Sequence, residues 1–254
     1  ISYPARDGLT IPAILTLPAG VGTDGLANLP MVVMPHGGPS SYDAVEFHWM
    51  AQYFANRGYL VLQPNFRGSE GYGRDFLHAG YGEWGQKMQD DVSDGVAGLV
   101  AEGLADPERI CIVGGSYGAY SPDLYKCVVA VAPVSDLPRM IRDVSKDRGR
   151  RHWVVDYWTD LIGDPRSPKV DLDAISPVNS AATFKAPVLL IHGKDDTVVP
   201  ISQSQVMERA LKAEGKPVNF IELRGEDHWL SDGDTRIETL RAMSDFVDAH
   251  IGAD

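Results

Sequence analysis

The feature that most constrains this chain is a rhythm: short runs rich in β-branched residues end in glycine-containing or polar turns and alternate with longer stretches of helical periodicity. Parallel strands need a crossover between them, usually a helix, so this rhythm predicts a mostly parallel sheet flanked by helices. Near-continuous apolar runs at Met31 to Met34, Tyr59 to Gln63, Ile110 to Val113, Cys127 to Ala132 and Val188 to Ile191 read as buried strands. Val218 to Leu223 alternates as a strand nearer the sheet edge would, and Leu9 to Leu17 predicts an antiparallel strand at the start. Helices are predicted over Val45 to Arg57, Trp84 to Glu102, Ser202 to Glu214 and Thr235 to His250, with Gly58 and Gly215 placed as C-terminal caps. The stretch from Leu137 to Ser180 is the least regular. Its Trp153, Tyr157 and Trp158 lie among charges, and it reads as helical excursions over one end of the sheet. No repeat, low-complexity tract or linker divides the chain, so a single α/β domain over residues 1–254 is expected.

Charge narrows the function. With 23 basic against 35 acidic side chains the net charge is −12, which repels nucleic-acid phosphates and anionic lipid. No apolar run approaches the roughly 20 residues of a membrane-spanning helix. The first residue is Ile1 rather than Met, so the chain is expected to continue upstream. A cytoplasmic location is favoured, with a periplasmic or secreted one if a signal peptide precedes Ile1. Cys111 and Cys127 each sit inside an apolar run and are expected to be free, buried thiols.

Four segments carry chemistry. Gly114-Gly115-Ser116-Tyr117-Gly118 follows the strand Ile110 to Val113 directly, the strand-to-turn setting in which a G-x-S-x-G pattern presents a serine hydroxyl above a sheet. A serine hydroxyl is a weak nucleophile, so it needs a base and a carboxylate to orient that base. His228, in the loop after Val218 to Leu223, is the expected base, because His250 falls on the last helix. Asp195 and Asp196 both follow the strand Val188 to Ile191, and spacing does not say which one points inward. Acyl transfer also needs two donors for the developing oxyanion. One is expected from the backbone N–H of Tyr117, the other from the loop His36-Gly37-Gly38-Pro39.

Taken together, His36 to Pro39, the run Asn65-Phe66-Arg67-Gly68-Ser69-Glu70-Gly71-Tyr72-Gly73, Gly114 to Gly118, His192 to Pro200 and Glu226-Asp227-His228 resemble the prolyl oligopeptidase family. The likeness is greatest to its acylaminoacyl-peptidase and dipeptidyl-peptidase-like branches. The resemblance implies an α/β-hydrolase fold and a serine peptidase that cleaves short peptides through an acyl-enzyme. It implies that Asp195 is the acid, that the Gly38 N–H joins that of Tyr117 in the oxyanion hole, and that His36 and Gly37 brace the loop. It further places Val134, Leu137, Met140 and Val198 on an apolar substrate pocket, while Arg67 is expected to pair with a nearby carboxylate. No metal or cofactor is implied. An N-terminal β-propeller, usual in relatives, is expected in the full-length protein, and a homo-oligomer is left open.

One stretch departs from the family. Gly118-Ala119-Tyr120-Ser121-Pro122 runs almost straight into the strand at Cys127, with too little chain for the helix that relatives carry there. Residues are therefore expected to be missing near 119–121. A carboxylesterase using the same triad, or a non-catalytic docking module, are the competing readings.

Overall fold

A computed structural model describes residues 1–22, 26–116, 124–167 and 170–252. Eight strands form one sheet: β1 (Ser2–Pro4), β2 (Thr10–Thr16), β3 (Leu29–Val33), β4 (Leu60–Pro64), β5 (Ala105–Gly115), β6 (Cys127–Val131), β7 (Val188–Gly193) and β8 (Val218–Leu223), in the order β1-β2-β4-β3-β5-β6-β7-β8. β1 and β2 join antiparallel, while β4, β3, β5, β6, β7 and β8 are parallel throughout. The helices are α1 (Trp49–Asn56), α2 (Arg74–His78), α3 (Lys87–Ala101), α4 (Leu137–Arg148), α5 (Trp153–Ile162), α6 (Ser202–Ala213) and α7 (Gly233–Ile251). The predicted strands are all present, and the parallel sheet with flanking helices is the one the rhythm calls for.

Alternate side chains along each strand feed two cores. Met31, Val33, Ile110, Ile112, Val128 and Leu190 pack on one face with Val92 and Val96 of α3 and Met207 and Leu211 of α6. Val32, Val113, Val129 and Ile191 pack on the other with Phe54 of α1 and Met243 and Val247 of α7. Because both faces are covered, the central strands are apolar at consecutive positions rather than at every second one.

Boundaries move where side chains cap the backbone. α1 starts at Trp49 and not at Val45, because His48 is extended and its ring accepts from the Ala51 N–H, leaving Val45 and Phe47 exposed. α7 starts at Gly233, where Asp232 accepts from the Asp234 and Thr235 N–H groups. α4 and α5 form the excursion expected after Leu137.

The cysteines depart from expectation. They are joined in a disulfide rather than free, because the parallel register sets Cys111 of β5 directly opposite Cys127 of β6 with Cα atoms 4.8 Å apart. Neighbouring strands always approach this closely, but only the pairing register could have put these two residues level.

The chain leaves β3 toward β4 on one side and β5 toward β6 on the other, so strand order reverses between β3 and β5. At such a reversal the loops beyond the strands' C-terminal ends part and leave a crevice. The His36 loop and Ser116 stand on its two sides. Only residues 116–126 join the parallel neighbours β5 and β6. The expected gap near 119–121 lies outside the described residues, as does Tyr117.

Candidate active site

Ser116 ends β5 in a left-handed conformation, φ 57°, which a side chain adopts only at a steric cost. It is clamped there by β6 and the loop after it: its N–H donates to Val131 O (2.9 Å), and Val134 N–H donates to its carbonyl (3.0 Å). The Gly37 backbone lies against this turn so closely that a Cβ on it would sit 3.2 Å from Gly115 O and from Ser116 Cβ. Glycine at 37 is what lets the loop after β3 touch the serine. Gly38 follows at φ 120° and opens onto the same cavity.

His36 holds that loop from behind. Its Nδ1 lies 2.8 Å from Gly37 O, its Nε2 lies 2.8 Å from Ser69 Oγ, and its ring stacks on Phe66 at 4.5 Å. Burial pushes the imidazole down to about 4, so the ring is neutral in ordinary buffers. The Asn65 to Gly73 run thereby acquires a purpose. Asn65 accepts from the Asp43 N–H and donates to the Asp43 carbonyl, Phe66 and Ser69 hold His36, and Arg67 pairs with Asp7 (2.8 Å) and with buried Asp91 (2.7 Å). Arg67 thus makes the carboxylate pairing expected of it.

Asp196 and His228 stand in the loops beyond the two strands at the far edge. Gly193, the last residue of β7, passes under the loop after β8: a Cβ there would lie 2.3 Å from Glu226 O. The contact is fastened by Asp195 N–H donating to Glu226 O (3.0 Å) and Lys194 N–H to Leu223 O (2.9 Å). Glu226 in turn is buried and gathers its own loop, accepting from the Asp227 and Ser231 N–H groups and from the Thr235 hydroxyl.

This packing decides between the two aspartates. His228 Nδ1–H donates to Asp196 Oδ2 at 2.7 Å, whereas the Asp195 side chain is exposed to solvent. The assignment to Asp195 is therefore corrected to Asp196. The physical reason is an Asx turn: Asp196 Oδ1 accepts from both Val198 and Val199 N–H (2.8 Å each), which folds the carboxylate inward and turns its predecessor out. Burial alone would push the Asp196 carboxyl up, but hydrogen bonds from His192, His228 and Val199 N–H outweigh it and hold the group far below the usual carboxylate range.

Ser116 and His228 open into one cavity of about 640 Å³. Gly37, Gly38 and Ser41 form one side of it and Val198 and Pro200 another. The α4–α5 hairpin supplies Asp147, Arg148, His152, Trp153, Tyr157 and Trp158. Of the four residues placed on an apolar pocket, Val198 alone lines this cavity. Val134, Leu137 and Met140 are core, with Val134 and Leu137 bordering a separate void of about 50 Å³. They pack in the core on the sheet face that α3 and α6 cover. The hairpin's contribution had no sequence signal beyond its aromatic residues, since which strand end it overhangs is a matter of tertiary packing. Among the described residues no group of three or more His, Cys, Asp or Glu side chains gathers as a metal site.

A parallel sheet with an antiparallel start, a serine on a strained turn after β5 and a histidine–aspartate pair on the last two strand ends define the α/β-hydrolase fold. The chain belongs to the prolyl oligopeptidase family, whose profile matches residues 45–254. It is 34% identical over 249 residues to dipeptidyl aminopeptidase BIII of Pseudoxanthomonas mexicana, covering 90% of this chain and 35% of that protein. Among solved structures it is similar to a Mycobacterium tuberculosis puromycin-hydrolyzing peptidase (TM-score 0.88, 27% identity, 100% of this chain and 39% of that one). A Pyrococcus horikoshii acylaminoacyl peptidase is also similar (TM-score 0.87, 26% identity, 100% of this chain and 42% of that one). The chain thus spans well under half the length of these relatives.

Proposed function

We propose that this chain is the catalytic domain of a serine peptidase that hydrolyses short peptides, releasing acylaminoacyl or dipeptidyl units through an acyl-enzyme. The observation that carries the reading is a strained serine and an aspartate-bound imidazole opening into one cavity. In the reaction Ser116 Oγ attacks the scissile carbonyl and its proton passes to His228 Nε2, while Asp196 fixes the Nδ1–H tautomer and stabilises the imidazolium. The oxyanion is held by the Gly38 N–H together with that of Tyr117. His228 then gives its proton to the leaving amine, and water repeats the sequence to free the acid. The short span of the chain beside its relatives supports a longer protein, in which an N-terminal β-propeller would limit access to the cavity.

Ser116→Ala is the test. It should lower kcat on a peptide p-nitroanilide by roughly four to six orders of magnitude, with Tm unchanged, and abolish labelling by a fluorophosphonate. Undiminished turnover in that variant sinks the assignment. A short acyl p-nitrophenyl ester cleaved in preference to every peptide would make the enzyme an esterase instead.

A further inference from the structure

The catalytic reading leaves one buried imidazole without a role. His192, the penultimate residue of β7, is fully buried, as is Ser204 in α6. Its Nε2 lies 2.8 Å from Val199 O and 3.2 Å from Asp196 Oδ2, and its Nδ1 lies 2.7 Å from Ser204 Oγ. These contacts fix the tautomer. A carbonyl and a carboxylate can only accept, so Nε2 carries the hydrogen and shares it between them. In the neutral ring Nδ1 then accepts from the Ser204 hydroxyl, whose proton is directed at it.

Asp196 is consequently fully occupied. Oδ1 takes the Val198 and Val199 N–H groups and Oδ2 takes the His228 N–H at 2.7 Å, while His192 Nε2–H, whose main acceptor is Val199 O, reaches Oδ2 as a longer branch at 3.2 Å. A carboxylate gripped on both oxygens resists rotation, and an oxygen approached by two N–H groups offers less charge to each.

Resting on the catalytic reading above, we propose that His192 is a positioning residue: held by Ser204, its Nε2–H is the fourth donor to Asp196 and competes with His228 for Oδ2. Two effects follow. The carboxylate is kept at the angle that aims His228 into the cavity, and its grip on the imidazolium is moderated, so His228 gives up its proton to the leaving group more readily. The other charged or titratable groups near this line are Asp195 and Asp227 beside the pair, Glu226 in the histidine loop, and Asp147, Arg148 and His152 across the cavity.

The experiment compares His192→Phe, which removes the donor, His192→Gln, whose amide can restore it at the Nε2 position, and Ser204→Ala, which disturbs the same packing but leaves Nε2–H in place. His192→Phe should lower kcat about tenfold or more with KM little changed, and shift the acid limb of kcat/KM upward by roughly half to one pH unit, because an unshared Oδ2 holds the imidazolium more tightly. His192→Gln should return the limb close to wild type. Ser204→Ala should lower Tm without moving it. The His228–Asp196 proton is followed in parallel by its low-field NMR resonance as pH is varied, a readout that does not depend on turnover. If that resonance titrates identically in wild type and folded His192→Phe, the proposal is overturned even where the enzyme is active. Should wild type cleave no peptide or ester, the catalytic reading fails while the resonance still decides the His192 question. If the Phe variant does not fold, His192→Asn, whose short amide reaches Ser204 but not Asp196, replaces it with the same expected and opposing outcomes.

Discussion

The two halves of the active site are built on opposite principles. On the β7–β8 side the buried carboxylates are paired: Asp196 accepts from the Val198, Val199 and His228 N–H groups with His192 Nε2 at 3.2 Å, and Glu226 is buried with its oxygens accepting from Asp227, Ser231 and Thr235. On the β3–β5 side the site is held under tension. Ser116 takes a left-handed backbone, and Gly37 meets it at the limit of contact. His36 is kept neutral by burial, and Asp43 Oδ2 has no hydrogen-bond partner among the described residues. The first half resembles a satisfied polar network, which rigidifies. The second resembles strain held by its surroundings, as expected where a side chain is lifted out of a strand end.

The comparison breaks most sharply at the aspartates. Asp196→Asn should cost about three to four orders of magnitude in kcat, because an amide offers the wrong hydrogen to His228 Nδ1–H. Asp195→Asn should stay within about twofold. Equal losses in a parallel assay of the two variants would show that the paired side is not as specific as its hydrogen bonds imply.

Gly193→Ala comes next. A Cβ placed 2.3 Å from Glu226 O must force the acid and base loops apart. Loss of about 3 kcal/mol of stability is expected, read by denaturant unfolding, with kcat falling alongside. Gly115→Ala is the control. Among the described residues its Cβ would meet nothing nearer than Val131 O at 3.8 Å, and steric displacement of the loops should be absent.

The smallest effects sharpen the tension of the β3–β5 side through pH. Burial pushes the Asp43 carboxyl up to about 6, so the native state keeps a proton that the unfolded chain has lost, and stability falls as pH rises from about 4 to about 6. His36 has the opposite sign. Its lowered value means that the unfolded chain takes up a proton the native state refuses, so stability is lost as pH falls from about 6.5 to about 4. The two slopes oppose each other in wild type. Asp43→Asn should add roughly 1–2 kcal/mol at pH 7 and uncover the His36 slope below it. A flat unfolding free energy between pH 6.5 and 4 in that variant would falsify the account of His36.

The sheet was legible because its signal is local. Apolar runs such as Val188 to Ile191 and the helical spacing of Ser202 to Glu214 need no partner to be recognised, and loops at strand ends are where sites form. Ser116 and His228 were legible for the same reason: each sits at the end of a run whose strand character is unambiguous. The disulfide was not, since Cys111 and Cys127 meet only through the register of β5 on β6. Val134, Leu137 and Met140 were read as pocket when they are core, because apolar residues after a strand serve either use and only packing assigns them.

What the sequence determined alone is the parallel architecture and the strand ends at which Ser116 and His228 stand, both written in residue types along single segments. Which aspartate serves the histidine was left to the tertiary structure. Asp195 and Asp196 are the same chemistry one residue apart, and they are separated only when Gly193 slides beneath Glu226 and two backbone N–H groups fold one carboxylate inward. Register, close backbone approach and the direction of a side chain are properties of chain segments meeting, and no single segment carries them.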